Sequence, residues 1–301
     1  MAFANRRELL FVYSVKDANP NGDPLNANHP RFDEDTGKVL VSDVRIKRTI
    51  RDQWLRDGLP VFVDGELKTL QNRSDELKKM FGVTKGQEAL AHCVDARLFG
   101  ATYSLRREKF SWTGPFQFKW GRSLNRAKVE LVQGTAAFAT RDAADQRSFR
   151  NEYIVPFALI AVYGIANQYP SQETGATDED IDSMVEALWK GTLNLITRSK
   201  IGHQPHLLME ITYEEGFNGI AGSLDERIAI RNLDGSSMSD EQQLALRGVS
   251  EVKLDAADAC ESILRHRDSI KQVRVIRSED LEITGLKSLE TLGGRLVVEA
   301  R

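Results

Sequence analysis

Cysteine is scarce in this chain, and the few cysteines lie far apart. Among 301 residues there are two, Cys93 and Cys260, and no cysteine or histidine pair has the spacing of a zinc site. A disulfide scaffold and a zinc-finger module are therefore excluded, and reduced thiols inside a cell are predicted. A chain of this length can bury enough apolar surface to fold without cross-links.

Long apolar runs are also missing. The longest, residues 154–166, contains Pro156 and Gly164 and is too short to span a bilayer. The first residues, MAFANRRELL, lack the basic, apolar and small-residue succession of a signal peptide. We therefore expect a cytoplasmic protein that makes no contact with a membrane.

The motifs of common enzymes do not occur. The chain has no glycine-rich phosphate loop, nucleophile elbow or metalloprotease motif. His203 and His206 are three residues apart beside Gly202 and Pro205, without a third ligand nearby in sequence. These histidines are interpreted as loop residues, and neither a metal nor a cofactor is predicted.

An excess of basic charge is absent too, since the formal net charge is -3. This excludes a general basic coat, so a nucleic-acid surface would require local segregation of charge. Residues 171–189 contain six acids and no base. Residues 96–129 contain one acid, Glu108, and eight basic residues, which are Arg97, Arg106, Arg107, Lys109, Lys119, Arg122, Arg126 and Lys128.

The segment of residues 17–51 is the feature around which we interpret the chain. It follows an apolar strand, residues 9–15, and begins with a loop rich in Asn, Asp, Gly and Pro, which predicts two consecutive turns. A connection of about 25 residues without periodicity is uncommon unless it is functional or disordered. Four of its residues match the first half of a calcium-binding EF-hand loop: Asp17, Asn19, Asn21 and Gly22. Asn28 stands where that loop needs a glutamate, so turn chemistry explains the match.

A helix follows, with Ser42 or Asp43 as its N-cap. The four-residue spacing of Ile46, Ile50 and Trp54 predicts a face that packs on the core. The neighbouring arc carries four basic residues, which are Arg45, Lys47, Arg48 and Arg51. This arc is either a solvated charged face or, together with the preceding loop, an anion-binding surface.

Aromatic residues alternate with polar and basic residues later in the chain. They are Phe110, Trp112, Phe116, Phe118 and Trp120. Strand periodicity is clear over residues 116–120. Aromatic side chains interleaved with Lys and Arg on a sheet can stack and neutralise single-stranded nucleic acid, but an ordinary half-buried strand has the same pattern.

The order of the remaining elements predicts the fold class. Strands at residues 9–15, 116–120, 154–165 and 207–213, with helices from residue 43 and over residues 178–199, form a ferredoxin-like βαββαβ order. Helices at 75–81 and 85–98, the second opened by a capping box of Thr84 and Gln87, are interpreted as an insertion. A strand pair over 127–139 leads to an exposed polar protrusion at 140–151. A helix at 254–266 and strands at 270–276 and 296–299 complete the chain.

Several sequence blocks together carry a family resemblance. The segments VKDANPNGDPLNAN, DEDTGKVLVSDVRIKRTIRD, GPFQFKWGRSLN and FRNEYIVPFALIAVYGIAN closely resemble the backbone subunits of type I-B CRISPR Cascade complexes, in the repeat-associated mysterious protein superfamily. The resemblance covers most of residues 9–168 in discrete blocks and fades after residue 213.

The resemblance implies an α+β architecture with an RRM-like palm in a single domain, 1–301. It further implies a helical finger at 59–110, a β-hairpin thumb at 133–151 and a C-terminal elaboration of the palm at 215–301. Such subunits are not enzymes. They bind CRISPR guide RNA, contact further copies head to tail and other Cascade subunits, and hold the guide for pairing with target DNA.

The resemblance also implies which residues meet the guide. They are Asn19, Asn21, Gly22, Asn26, Arg45, Lys47, Arg48, Arg51, Arg122, Ser123, Asn125, Arg141, Phe149 and Arg150. Relatives in type III complexes cut RNA with an acid in the corresponding loop, so a metal-dependent ribonuclease using Asp33 or Asp35 is the alternative. Acids beside Thr36 and Gly37 also form an ordinary turn. A small-molecule enzyme is a third possibility, for which the sequence offers no nucleophile or acid/base pair.

Overall fold

The computed structural model describes residues 1–135 and 149–301. Its strands are β1 Arg7–Ala18, β2 Phe32–Asp33, β3 Lys38–Val41, β4 Gly100–Leu105, β5 Glu108–Thr113, β6 Phe116–Phe118, β7 Gly121–Ser123, β8 Glu130–Thr135, β9 Phe149–Ala166, β10 His203–Tyr213, β11 Ala229–Arg231, β12 Lys253–Asp255, β13 Ile270–Arg277, β14 Glu282–Thr284 and β15 Leu296–Ala300. Its α-helices are α1 Asp43–Arg56, α2 Leu70–Phe81, α3 Gly86–Ala91, α4 Val94–Phe99, α5 Gln168–Thr174, α6 Asp178–Leu193, α7 Asp240–Ala245 and α8 Ala257–Leu264.

One large sheet organises the molecule. Its strand order is β15-β13-β10-β1-β9-β7-β3-β2, and β6 and β8 also pair with β9. The neighbours β10, β1, β9 and β7 pair antiparallel, whereas β15 pairs with β13 in parallel. In sequence, α1 lies between β1 and β6, and α6 lies between β9 and β10. The predicted α+β class is confirmed.

The central strand β1 is apolar on both faces because the sheet carries a layer on each side. Successive side chains of a strand point to opposite faces. Leu9 and Phe11 therefore join the core that includes α1 and α6, whereas Leu10 and Val12 join a second core built with the C-terminal third of the chain. The near-continuous apolar run is thus the signature of a strand buried on both sides.

Helix α1 has the predicted start and the predicted core face. Ser42 is the N-cap, and its hydroxyl accepts the N–H of Arg45 at 3.4 Å. Ile46, Ile50 and Trp54 are buried against α6 and the sheet. The four-residue spacing therefore identified the packed side correctly.

The predicted insertion has a small core of its own. Leu77, Leu90, Tyr103 and Trp112 are buried in it, so the compact unit includes the hairpin β4-β5 as well as helices α2 and α3. The expected helix at residues 85–98 is wrong as a single element, because it is divided into α3 and α4.

The predicted capping box of Thr84 and Gln87 is also absent from that helix start. Lys85 is the N-cap and makes no side-chain capping bond. The carboxylate of Glu108 instead accepts the N–H groups of Gly86 and Gln87 at 2.8 and 3.0 Å. A carboxylate supplied by the neighbouring hairpin thus satisfies donors that sequence-local capping would leave open.

The alternating aromatic residues do not form a stacking surface. Phe116 and Phe118 are 1% and 8% exposed in the main core, and Trp112 is buried in the insertion. The half-buried strand is therefore the correct interpretation for them. The predicted strand to residue 120 ends at Phe118, and Trp120, with 44% exposure, is the most exposed aromatic residue of this group.

Two predictions near α6 and β10 are wrong. The helix expected over 178–199 ends at Leu193, so Arg198 and Lys200 belong to a loop. His203 and His206 lie in β10 and are buried. The strand tolerates Pro205 because the pairing of β1 with β10 shifts register at this point, as proline in a strand requires.

A buried carboxylate in β1 binds the segment where the C-terminal third begins. Glu8 in β1 accepts hydrogen bonds from the hydroxyls of Tyr163 and Tyr213 and from the backbone N–H groups of Ala221 and Gly222. All four donors are thereby satisfied in the interior, where an unpaired polar group is costly. From this anchor the chain continues over the second face of the sheet.

The thumb prediction extends beyond the described residues. β8 pairs with the start of β9, from Glu130 opposite Ile154 to Thr135 opposite Phe149, and residues 136–148 lie outside the described part. Within the described ranges, no helix is long and apolar enough to cross a membrane. Both cysteines are free and buried.

Candidate nucleic-acid interface

The loop after β1 is held in place by the start of α1. The side-chain oxygen of Asn21 accepts hydrogen bonds from both the backbone N–H and the hydroxyl of Ser42, each at 2.8 Å. The backbone carbonyl of Asn21 accepts the N–H of Arg31 at 2.8 Å. Asn21 therefore fixes the loop to the helix N-terminus and is itself buried.

Asn19 closes the same loop from the other side. Its amide group donates to the carbonyl of Asn28 at 3.1 Å, and its own carbonyl accepts the ammonium group of Lys200. Its side-chain oxygen is buried without a hydrogen-bond partner. Asp17 and Asn28, at the two ends of the loop, have φ values of 49° and 63°. Left-handed backbone at non-glycine residues is strained, and such strain is concentrated at functional sites.

The surface part of the loop consists of small and polar residues together with one exposed apolar residue, Leu25. Gly22 and Asn26 are exposed, and the Asn26 amide donates to Asp23 at 2.9 Å. A Cβ atom added to Gly22 would meet nothing within 4 Å. This side of the loop therefore leaves backbone open for a ligand to approach.

Three of the four basic residues on the predicted arc of α1 are engaged within the protein. Lys47 donates to the Gln117 amide oxygen at 2.9 Å and is paired with Asp43 at 3.5 Å. Arg48 pairs with Asp52, and Arg51 with buried Asp95, whose second carboxylate oxygen accepts the N–H of Phe62. These contacts fix the insertion to α1, so the basic arc is neither free nor simply solvated.

Arg45 differs from the other three basic residues of this arc. Its guanidinium donates to Thr49 at 2.9 Å, the nearest carboxylate is Asp52 at 4.0 Å, and its Nε is buried without a partner. The charge of Arg45 also acts on Lys200, whose pKa falls to about 8 through burial and then through this repulsion. Lys200 has no carboxylate within 4.0 Å among the described residues and Arg45 has only Asp52 at that distance, so neither cation is fully neutralised.

His203 completes this cluster with a neutral ring. Burial lowers the pKa of His203 to about 4, so the ring is uncharged at neutral pH. Its Nδ1 is bonded to the carbonyl of Lys200, which makes Nε2 the acceptor nitrogen, and Nε2 has no partner. Together with the side-chain oxygen of Asn19 and Nε of Arg45, it leaves three unsatisfied polar atoms around one loop.

A second group of cations lies where β3 meets β7. Arg122 is largely exposed and approaches Asp33 at 3.3 Å. Lys38 donates to the carbonyl of Leu124 at 3.4 Å, and burial followed by the charge of Arg122 lowers the pKa of Lys38. Arg31 lies over the Trp120 ring at 5.2 Å, with its Nε buried and unpartnered.

Ser123 and Asn125 hold these strands together from inside. The Ser123 hydroxyl accepts the N–H of Val39 at 3.0 Å, and Asn125 bonds the carbonyl of Phe157 and the N–H of Leu159. Both are buried. Their side chains position the surface around Arg122 and do not reach solvent.

Of the three predicted RNA-binding residues of the thumb, two lie in the part of the chain that the structure describes. Arg141 lies outside the described residues. Phe149 and Arg150 begin β9, where their backbones pair with Thr135 and Gly134. Near the base of the same strand, the Tyr153 ring lies 4.9 Å from His29 of the loop, and Arg198 pairs with Glu152 at 2.8 Å.

The electrostatic environment of this region differs from that of the rest of the protein. Burial lowers the pKa of Lys38, Arg45, Lys47 and Lys200. Elsewhere burial is outweighed by bonded carboxylates, which raise the pKa of basic residues such as Arg7, Arg97 and Arg274. Cations that lack full neutralisation favour a bound anion.

Sequence reasoning missed Arg31, Lys38 and Lys200 as members of this surface. The helix predicted over residues 178–199 includes Arg198 and ends beside Lys200, where basic residues suit the helix dipole. The available signal was the segment TRSKIGH, in which Gly202 breaks the helix pattern after two cations. The contact of Lys200 with Asn19, 181 residues away, has no signal in the local sequence.

Two comparisons with known sequences lead to the same protein family. A family model described as CRISPR-associated protein Cas7 matches residues 5–256. A protein of Haloferax volcanii described as CRISPR-associated protein Cas7 is 28% identical over 314 residues, which cover 94% of this chain and 90% of that protein.

Solved structures with a similar fold include chains from two assemblies. A chain of a "CRISPR RNA-guided surveillance complex, pre-nicking" aligns with a TM-score of 0.58 and 11% identity, covering 96% of this chain and all of that one. A chain of a "CRISPR RNA-guided surveillance complex" aligns with a TM-score of 0.53 and 14% identity, covering 90% and 88%. At these identities the likeness concerns the fold alone.

Proposed function

The chain belongs to the CRISPR-associated protein Cas7 family, and on this premise we propose that it is a non-catalytic subunit that binds CRISPR guide RNA. Copies of it assemble head to tail along the guide as the backbone of a type I-B Cascade surveillance complex. The complex contains other Cascade subunits and holds the guide for pairing with target DNA. Heterologous contacts that do not close produce an open filament, which suits a subunit that covers a long strand.

The observation that carries this proposal is the group of incompletely neutralised cations around the first loop. Arg31, Lys38 and Lys200 have no carboxylate within 4.0 Å among the described residues, and Arg45 has one only at that limit. Phosphate contacts by basic residues supply affinity without reading sequence. A guide RNA whose sequence varies requires that kind of recognition, because base pairing supplies the specificity.

The proposed RNA-binding residues divide into four groups according to their contacts and their place in the fold. Gly22, Asn26, Arg45 and Arg122, with Lys200 added, supply the surface that meets the phosphates. Asn19, Asn21, Ser123 and Asn125 position that surface, and Lys47, Arg48 and Arg51 keep α1 and the insertion in register with it. Arg141, Phe149 and Arg150 belong to the proposed thumb.

The same proposal assigns roles to the larger parts of the fold. The strands β10, β1, β9 and β7 with α1 and α6 form an RRM-like palm. The unit with its own core after α1 is the finger, and the hairpin that includes β8 and the start of β9 is the thumb. Residues 215–301 elaborate the palm by covering the sheet face that is opposite α1 and α6.

The decisive experiment is co-purification of RNA. When the protein is expressed with its partner subunits and a repeat array, we expect it to retain RNA of one defined length, visible on a denaturing gel. RNA of random length, or none, would contradict the proposal. A complex assembled on an array with a longer spacer should contain proportionally more copies of this subunit, which mass measurement can determine.

The geometry of Asp33 favours a turn over a ribonuclease site. Its carboxylate accepts the N–H of Thr36 at 3.3 Å, and hydrogen bonds from Thr36, followed by the charge of Arg122, lower the pKa of Asp33. Among the described residues, no three His, Cys, Asp or Glu side chains are placed to hold a metal ion. Complementary RNA incubated with the complex and Mg²⁺ should therefore remain intact. Periodic cuts that disappear in Asp33→Ala or Asp35→Ala would establish the ribonuclease alternative instead.

Guide affinity should depend on pH through Lys200. Because burial and Arg45 lower the pKa of Lys200 to about 8 in the free protein, this group loses its proton as the pH rises through that value. A neighbouring phosphate favours the charged form, so RNA binding takes up a proton. Affinity should fall by up to about eightfold between about pH 7.5 and pH 9. This upper limit applies when the bound phosphate restores the ordinary lysine pKa of about 10.4 to Lys200 in the complex.

Two variants test the origin of that dependence. Lys200→Arg should flatten the profile, since arginine stays charged throughout this range. Lys190→Arg, on the exposed end of α6, should leave the profile unchanged. A steep profile retained in Lys200→Arg would show that another group titrates.

A further inference from the structure

Trp120 has surroundings that the proposed phosphate surface does not explain. It is 44% exposed, whereas Trp54, Trp112 and Trp189 are 0%, 6% and 4% exposed. A single exposed apolar ring is common on protein surfaces. This ring, however, lies beneath the guanidinium of Arg31 at 5.2 Å and borders a groove.

The groove is open and has a volume of about 720 Å³. Ligand pockets commonly measure about 300–1,000 Å³. Residues from the β6-β7 edge and from β11 line it, among them Lys38, Lys119, Trp120, Arg122, Ile228 and Ile230. Its walls therefore combine one aromatic ring, apolar side chains and cations.

Charges in the groove have an ordered arrangement. Lys119 is paired with Asp225 at 3.0 Å and with Glu226 at 2.8 Å, so that end offers carboxylate acceptors beside a neutralised ammonium group. Arg122 stands at the same groove with a largely exposed side chain, near Asp33. One part of the groove can thus accept N–H groups, while another attracts an anion.

We propose that this groove is a stacking subsite for one unpaired base of the bound RNA, with the base against Trp120 and its phosphate at Arg122. The inference rests on the proposed function and adds to it a contact with a base. Every nucleobase has a π-face, so stacking on an indole tolerates any guide sequence. The exocyclic amino groups of the bases can donate to Asp225 or Glu226.

A base fits these walls better than an apolar side chain of a second copy does. An apolar side chain would bury the carboxylates and ammonium groups without replacing their water, at a cost for each unpaired polar group. A nucleobase has a flat apolar face and a polar edge in one rigid unit. The Arg31 guanidinium already lies over the indole in the free protein, and this cation–π contact restricts the ring before RNA binds, which lowers the entropy lost on binding.

Intrinsic fluorescence can test the subsite, because Trp120 is the tryptophan that solvent and ligands reach. A short single-stranded RNA should quench the emission of the wild-type protein. An abasic chain of the same length and charge should bind through phosphates and leave the emission unchanged. Quenching of equal size by the abasic chain would overturn the inference, as would quenching that follows self-association of the protein without RNA.

Variants separate stacking from charge. Trp120→Ala should lose the quenching and bind RNA about tenfold more weakly, the equivalent of about 1.4 kcal/mol, with an unchanged salt dependence. Trp120→Phe should recover most of the affinity, and Tyr169→Ala, which removes an exposed ring outside the groove, should match the wild type. If Trp120→Ala binds within twofold of the wild type, the subsite is refuted while the guide-binding proposal stands. If the wild type binds no RNA at all, both fail.

Discussion

Replacing Glu8 by alanine is expected to lower the free energy of unfolding by about 4 kcal/mol. The carboxylate is fully buried and accepts bonds from two tyrosine hydroxyls and two backbone N–H groups. Its removal leaves both hydroxyls and the N–H of Gly222 without an acceptor, whereas the N–H of Ala221 keeps its bond to the Tyr213 hydroxyl at 3.0 Å. Burial and then the negative charge of Glu8 raise the pKa of Tyr163 and Tyr213 well above the usual range, which keeps both hydroxyls protonated as donors. Urea denaturation measures the loss directly.

The position of the stranded donors predicts where the structure loosens. One of them is the N–H of Gly222, and Ala221 also loses its bond to Glu8. The C-terminal third begins to cover the sheet at these residues, so limited proteolysis should cut near them in Glu8→Ala. Glu8→Gln keeps the side-chain volume and one acceptor oxygen, but it places an NH₂ donor opposite other donors. We expect it to lower the free energy of unfolding by an amount between those of Glu8→Ala and the wild type. Glu282→Ala, on an exposed strand, should change stability by less than about 1 kcal/mol. Equal stability of Glu8→Ala and the wild type would refute this role of the carboxylate.

Replacing Arg45, Arg122 and Lys200 together by glutamine is expected to weaken binding of single-stranded RNA by roughly 100-fold. The estimate assigns about 1 kcal/mol to each charge-assisted contact with a phosphate, at the low end because the site is partly exposed. Each lost contact should also reduce the slope of log affinity against log salt by about 0.7, or about 2 for all three. Fluorescence anisotropy with a labelled oligonucleotide at several salt concentrations measures both quantities.

The insertion offers a matched control for charge. Arg106, Arg107 and Lys109 are exposed around the β4-β5 turn and have no carboxylate within 4 Å among the described residues. Glutamine at these three positions removes the same charge and should leave RNA affinity within about threefold of the wild type. An equal loss in both triple variants would mean that net charge, and not the loop surface, determines binding.

Arg51 of α1 is expected to affect stability more than RNA affinity. Alanine at Arg51 removes the partner of Asp95, a buried carboxylate that also accepts the N–H groups of Phe62 and Val63. We therefore expect its effect on stability to exceed its effect on RNA affinity. The sequence assigned Arg45, Lys47, Arg48 and Arg51 to RNA binding together, because they share one helical arc, and it could not distinguish these two roles.

Periodicity predicted most of the regular elements, and it failed where distant residues supply a missing group. The start of α1 at Ser42 and its buried face follow from local patterns. The start of α3 does not, because its capping carboxylate comes from Glu108 in a hairpin that follows it by about 20 residues. The histidines of β10 were misplaced for a similar reason, since the register shift opposite Tyr13 that accommodates Pro205 is a property of paired strands.

By itself, the amino-acid sequence determined the α+β class, the core face of α1, the turn-rich loop and the family. These properties depend on neighbours within a few residues or on whole blocks of sequence, and both can be read along the chain. Only the tertiary structure decided which cations are neutralised. Arg51 is paired with Asp95 of the insertion at 2.7 Å, whereas Arg45 has only Asp52 at 4.0 Å and Lys200 has no carboxylate within that distance among the described residues. Coulombic interactions fall off with distance and rise with burial, and the fold alone sets both for residues that are far apart in sequence.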